Sequence, residues 1–268
     1  MNRTAELISE PAPTVDNPVV YEQPLGERLR TFLRLEYLYQ QLLFNMQKHS
    51  PWATRAAVTS LLDVVAILSR GDLRKDIMKE LERQIYVFDR FQNTPNVDEG
   101  RLDDVMRNLQ ALRNKLNFVG PQYLTGLRES EFLNSVKHRS AIPGGTCEFD
   151  LPDFSYWLRK PYERRLTDMQ EWTKNIRPLC EAVGQLMWLL RNSGQTVAQV
   201  AVNGVFQYTL GRDMSAGMLR VSLSPGTALF PEISGSRHRF TIRFMDWSNV
   251  VDRARQTTED VPFSLTIC

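Results

Sequence analysis

Residues 179–210 read LCEAVGQLMWLLRNSGQTVAQVAVNGVFQYTL. Up to Arg191 the apolar side chains Leu179, Val183, Leu186 and Leu190 recur at three and four, which is one face of a helix. Beyond Gly194 the period becomes two, and β-branched and aromatic residues dominate from Val200 to Leu210. The same pattern returns in Met218 to Ser224, Arg237 to Met245 and Val261 to Ile267, punctuated by Gly204, Pro225-Gly226 and Ser234-Gly235-Ser236. Helical period before one point and strand period after it predict an α+β fold: an N-terminal multi-helix domain, then a C-terminal antiparallel β domain of meandering strands.

Toward the N-terminus the helical period is sustained. A helix over 166–191 carries Met169, Trp172 and Ile176 as well, with a break near Arg177 because Pro178 interrupts it. Leu29, Phe32, Leu35, Leu38, Leu42 and Met46 mark a first helix. Ser50-Pro51 opens a second, with Ala57, Leu61, Val64 and Leu68 inward and Gly71 at its end. Asp72 and Asp98 cap a third and a fourth, separated by a turn at Asn93-Thr94-Pro95-Asn96, and a fifth runs over Glu129–Arg139. Ile142-Pro143-Gly144-Gly145-Thr146 breaks the pattern, and Cys147–Pro152 reads as extended. Val19–Glu22, closed by Pro24, reads as a short edge strand. The expected organisation is an arm over 1–18, disordered in composition; a strand over 19–24 joining the β domain; a helical domain over 25–194; and a β domain over 195–268.

Composition narrows the function. The 268 residues carry 33 Lys and Arg against 31 Asp and Glu, a net +2, which argues against a surface built throughout for nucleic acid. Three cysteines, none in a CxxC pair, point to a reducing, cytoplasmic setting. Met1–Pro18 has no apolar core and is not expected to be a signal peptide, and no run comes near the ~20 apolar residues of a membrane span. His49, His138 and His238 show no ligand spacing, so no metal is expected. Pro143-Gly144-Gly145-Thr146 lacks the strand before and the Lys-Ser/Thr after it that a phosphate loop needs. Asp98-Glu99 and Asp103-Asp104 sit at a helix start, where carboxylates favour the dipole. No cofactor, catalytic residue or enzymatic activity is expected.

The strand pattern Arg237-His238-Arg239-Phe240-Thr241-Ile242-Arg243-Phe244 is more telling. Alternate side chains share a face, so Arg237, Arg239, Thr241 and Arg243 fall opposite His238, Phe240, Ile242 and Phe244. Arg220 stands likewise opposite Leu219, Val221 and Leu223. Between Val197 and Trp247 five arginines meet three carboxylates. One reading is a solvated face that discourages edge pairing. The other is a groove for carboxylates, which the planar arginine fork grips by two bonds, with Phe206 and Tyr208 available to line it.

Several strings, in order, carry a resemblance. They are Tyr21-Glu22-Gln23-Pro24-Leu25-Gly26-Glu27-Arg28-Leu29-Arg30, Arg70-Gly71-Asp72-Leu73-Arg74, Ile142-Pro143-Gly144-Gly145 with Phe149-Asp150-Leu151-Pro152, and Pro231-Glu232-Ile233-Ser234-Gly235 before Arg239-Phe240-Thr241-Ile242-Arg243-Phe244. Over nearly the whole chain this set resembles the ZapD family of FtsZ-associated division proteins. The resemblance implies a cytoplasmic homodimer, joined through its helical half, at the mid-cell division ring. It implies binding to the C-terminal tail of FtsZ and bundling of FtsZ protofilaments. It also implies a basic pocket to which Arg70, Arg239 and Arg243 contribute, and Arg237 and Arg220 join the candidates through the strand pattern. A single-stranded nucleic-acid module using the basic β face is the alternative reading.

Overall fold

The structure is a computed structural model that describes residues 18–91, 98–211, 216–247 and 251–268. The arm expected over 1–18, apart from Pro18, and the turn expected at Asn93–Asn96 lie outside the described residues. In chain order the elements are β1 (Val19–Pro24), α1 (Glu27–Met46), α2 (Pro51–Leu68), α3 (Leu73–Asp89), α4 (Glu99–Val119), α5 (Thr125–Glu129), α6 (Glu131–Ser140), α7 (Pro152–Leu158), α8 (Tyr162–Thr173) and α9 (Arg177–Arg191). Among the described residues seven strands follow: β2 (Thr196–Ala201), β3 (Val205–Thr209), β4 (Met218–Leu223), β5 (Leu229–Gly235), β6 (Arg239–Asp246), β7 (Arg255–Gln256) and β8 (Val261–Ile267). The fold is the α+β arrangement that the change of period predicts. The chain divides into two compact units, Thr31–Leu189 and the described residues up to Arg30 together with Leu190–Cys268.

The helical unit is built by capped amphipathic helices. The Ser50 side chain accepts a hydrogen bond from the Trp52 N–H, with Pro51 in the first turn of α2. Asp72 accepts from the Lys75 N–H and Asp98 from the Arg101 N–H, so the acidic cluster at 98–104 begins with a cap. Leu35, Leu42, Ala57, Leu61, Val64, Ile77, Leu81, Leu109 and Leu116 are fully or almost fully buried. At 18 residues and a mean hydropathy of 1.3, α2 is long and apolar enough by length and composition to cross a membrane. That corrects the expectation that no run comes near a span. Here its apolar stripe of Ala57, Val58, Leu61, Val64 and Leu68 is buried within the unit.

The structure refines the helical expectations at three places. The fifth helix expected over Glu129–Arg139 is α6, capped by Ser130 accepting from the Leu133 N–H, and the short α5 precedes it, unforeseen in the sequence. The stretch Cys147–Pro152 is not extended. Backbone bonds from Cys147 N–H to Gly144 C=O (3.0 Å) and from Leu151 N–H to Cys147 C=O (2.9 Å) wind it into turns, and Pro152 then starts α7. The break expected near Arg177 is present, since α8 ends at Thr173 and α9 begins at Arg177 with Pro178 in its first turn, where a missing N–H is harmless.

The β unit holds two antiparallel sheets rather than one meander. The first has the order β1-β4-β8-β2; in the second β6 lies between β3 and β5, and β7 also pairs with β6. The run read as one strand over Val200–Leu210 is two, joined by Asn203-Gly204 with φ of 50° and 72°. Left-handed φ at both central residues is the two-residue hairpin geometry that Asn-Gly favours. Strands β5 and β7 escaped the sequence pattern, β5 because Pro231 argues against a strand interior. Pro231 is tolerated because β5 is an edge of its sheet. Both sheets turn apolar faces into one core of Leu219, Val221, Leu223, Phe240, Ile242, Phe244, Val261, Phe263 and Leu265.

Candidate functional site

The second sheet carries the arginine pair on its outer face. Along β6, Phe240, Ile242 and Phe244 are buried, while Arg239 and Arg243 are exposed and Thr241 is half-buried. Cross-strand register sets their neighbours: Thr209 and Val205 on β3 stand opposite Arg239 and Arg243, and Gln207 opposite Thr241. On β5, Glu232 stands opposite Arg243 and Ser234 opposite Thr241. Among the described residues neither Arg239 nor Arg243 is ion-paired or hydrogen-bonded through its side chain. They stand four positions apart along the strand, about 13 Å. The face is therefore a pair of solvated guanidinium groups at fixed spacing, with small side chains between them and the β3 edge.

Register also corrects two expectations. Phe206 and Tyr208 pair with Ile242 and Phe240, so they point to the core side and cannot line the arginine face. Their rings pack there, Phe206 against Phe263 (5.3 Å) and Tyr208 against Phe240 (5.6 Å). Arg237 and His238 are not in the strand, and His238 does not join the apolar face. They occupy the β5–β6 turn, which is closed by a 2.8 Å bond from Ser236 N–H to Arg239 C=O. The Arg237 guanidinium lies against Gly26, where an added Cβ would sit 3.0 Å from Nη2. Glycine at 26 makes room for it.

Arg220 belongs to the other sheet and has partners. It stands opposite Glu22 in the β1–β4 register, and its Nε donates to Glu22 Oε1 at 3.0 Å. Arg191 grips the same carboxylate with Nε to Oε1 at 2.8 Å and Nη2 to Oε2 at 2.9 Å. Arg220 Nη1 also reaches the Arg191 carbonyl at 3.2 Å. Burial pushes the Glu22 carboxyl up, but the hydrogen bond and charge of Arg191 and the charge and hydrogen bond of Arg220 more than offset it. The carboxyl is held below its ordinary value and stays ionised. This clamp joins residues 169 and 198 positions apart, which no local pattern could reveal.

Arg70 lies in the helical unit. It is exposed in the turn between α2 and α3, two residues past the end of α2. Gly71 follows with φ of 68°, a left-handed position that suits glycine.

A family model described as "ZapD: Cell division protein" matches residues 33–243. The chain belongs to the ZapD family of cell division proteins. The protein named cell division protein ZapD in Methylococcus capsulatus is 38% identical over 253 residues, covering 94% of this chain and 98% of that protein. Those of Aromatoleum aromaticum and Chromobacterium violaceum are each 36% identical, covering 94% and 93% of this chain and 98% and 99% of theirs. The ZapD model spans both units and ends at Arg243, inside β6.

Proposed function

We propose that this protein is a non-catalytic adaptor of the division ring. It binds the C-terminal tail of FtsZ and, as a homodimer joined through its helical half, links FtsZ protofilaments into bundles in the cytoplasm at mid-cell. The observation that carries this reading is the exposed, unpaired Arg239–Arg243 pair on one sheet face of a ZapD-family chain. Each guanidinium offers a planar donor fork to a carboxylate, and neither must break an existing ion pair to do so.

The remaining candidates take graded roles. Arg237 extends the positive face at the β5–β6 turn, and Arg70 adds a contact from the helical unit. Arg220 acts through Glu22, by holding β1 to β4. A single-stranded nucleic-acid platform would need rings beside its cations, and Phe206 and Tyr208 point to the other side of the sheet.

The test is a titration of the full chain with a synthetic FtsZ tail peptide, with co-sedimentation of FtsZ polymers. Binding that weakens on Arg239→Ala and Arg243→Ala, and polymers that pellet only with their tails intact, are the expected results. Equal pelleting of tailless FtsZ would overturn the reading.

A further inference from the structure

The free edge of β3 offers a second binding element beside the arginines. Leu210 N–H donates to His238 C=O at 2.8 Å, and Phe244 N–H donates to Gly204 C=O at 2.9 Å. In an antiparallel pair such bonded positions alternate. Gly204, Phe206, Tyr208 and Leu210 therefore aim their backbone groups at β6, and Val205, Gln207 and Thr209 aim theirs away from it. The Val205 N–H is taken by the Val202 carbonyl at 3.1 Å. The N–H and C=O groups of Gln207 and Thr209 have no partner among the described residues, and both residues are exposed.

An open edge is normally defended by proline, lysine or an inward charge. The sequence Val205-Phe206-Gln207-Tyr208-Thr209 contains none of these. Among the described residues the undefended edge lies next to two strand cations on its sheet's outer face; Glu232 faces Arg243 from the β5 side, while on β3 Val205 and Thr209 stand opposite the two arginines in register. Side chains that small leave the guanidinium stems free to lie across β3 toward a strand beyond it.

We infer that an extended acidic peptide adds to the second sheet as a strand along β3, its backbone pairing with Gln207 and Thr209 and its carboxylates reaching Arg239 and Arg243. This rests on the tail-binding reading and specifies its geometry. Main-chain pairing supplies affinity without regard to sequence, and the two arginines select side chains on one face. Arginines about 13 Å apart on a strand match peptide carboxylates four residues apart in an extended chain. In a helical peptide the same two residues would be only about 6 Å apart.

The experiment uses the full-length protein and the FtsZ tail peptide, with single backbone N-methyl groups introduced in turn along the peptide. Strand addition predicts a period of two: methyl groups on alternate amides lower affinity tenfold or more, and those between them have little effect. Hydrogen exchange at the Gln207 and Thr209 amides should slow on binding. Gln207→Pro removes an outward N–H without touching the pairing to β6, so it should keep the melting temperature and lose binding tenfold or more. Wild-type binding with no alternation in the methyl scan and no protection at these amides would overturn strand addition and leave the tail-binding reading standing. Failure of the unmodified peptide to bind would overturn both. The methyl scan needs no variant of the protein, so it decides the matter even where Gln207→Pro unfolds.

Discussion

Arg239, Arg243 and Phe240 are neighbours with opposite duties. The two arginines leave the sheet on its solvent side and fill no part of the core, so truncating either makes no cavity. Arg239→Ala and Arg243→Ala should shift stability by less than about 0.5 kcal/mol. Each should weaken tail-peptide binding by roughly 1.5–3 kcal/mol, the contribution of a hydrogen bond to a charged group. Arg→Lys should restore part of the affinity, because lysine keeps the charge and loses the fork. Phe240 is 1% exposed and touches Phe206 and Tyr208. Phe240→Ala should destabilise the β unit by about 3–5 kcal/mol. Melting curves and peptide titrations on these variants separate the two effects; an arginine variant that loses binding only by unfolding would remove these residues from the site.

At the scale of one element, β1 depends on Glu22. The strand is a sheet edge with a proline at its end, and it precedes the sheet's other strands by the whole helical unit. Closing so long a loop is entropically unfavourable, and the Glu22 clamp to Arg191 and Arg220 is one of the interactions that offset it. Because the folded carboxyl is held below its ordinary value of 4.5, its contribution is complete above that pH. It is lost as pH falls through the lowered folded value. Glu22→Gln removes the charge and leaves two half-buried guanidinium groups facing a neutral amide, at a cost of about 1–3 kcal/mol. Denaturation at pH 7 should show that loss, and the variant and the wild type should converge as pH falls through the lowered folded value. Parallel stability curves across that range would mean that the clamp does not set the acid sensitivity of β1.

At the scale of the whole molecule, bundling needs two tail sites on one particle. A second site held near the first gains from effective concentration, whereas a single site can only decorate a filament. Sedimentation should therefore report a species near twice the 31.0 kDa of the chain at micromolar concentration. A 31.0 kDa species that still bundles FtsZ would remove the dimer from the mechanism. Bundling should also weaken with salt, since the Debye length falls from about 10 Å at 0.1 M to about 3 Å at 1 M. Bundles that pellet equally across that range would place the affinity in apolar or main-chain contacts rather than in arginine charge.

Period and punctuation by themselves determined most of the elements. Apolar spacing of three and four gave the helices, Ser50, Asp72 and Asp98 marked where three of them start, and alternation alone assigned Phe240, Ile242 and Phe244 to the core. Such signals are legible because a residue's face follows from the backbone repeat alone. Strand partners do not follow from it. Tyr208 reads in the sequence as available to line the arginine face, yet register turns its ring to the opposite face, and Glu22 waits 169 residues for Arg191. Pairing, register and the division into two sheets are settled by contacts between distant segments, each stabilising by a few kcal/mol or less. That is why an arginine face could be seen in the sequence, while its open edge at Gln207 and Thr209 became visible only when β3 was laid against β6.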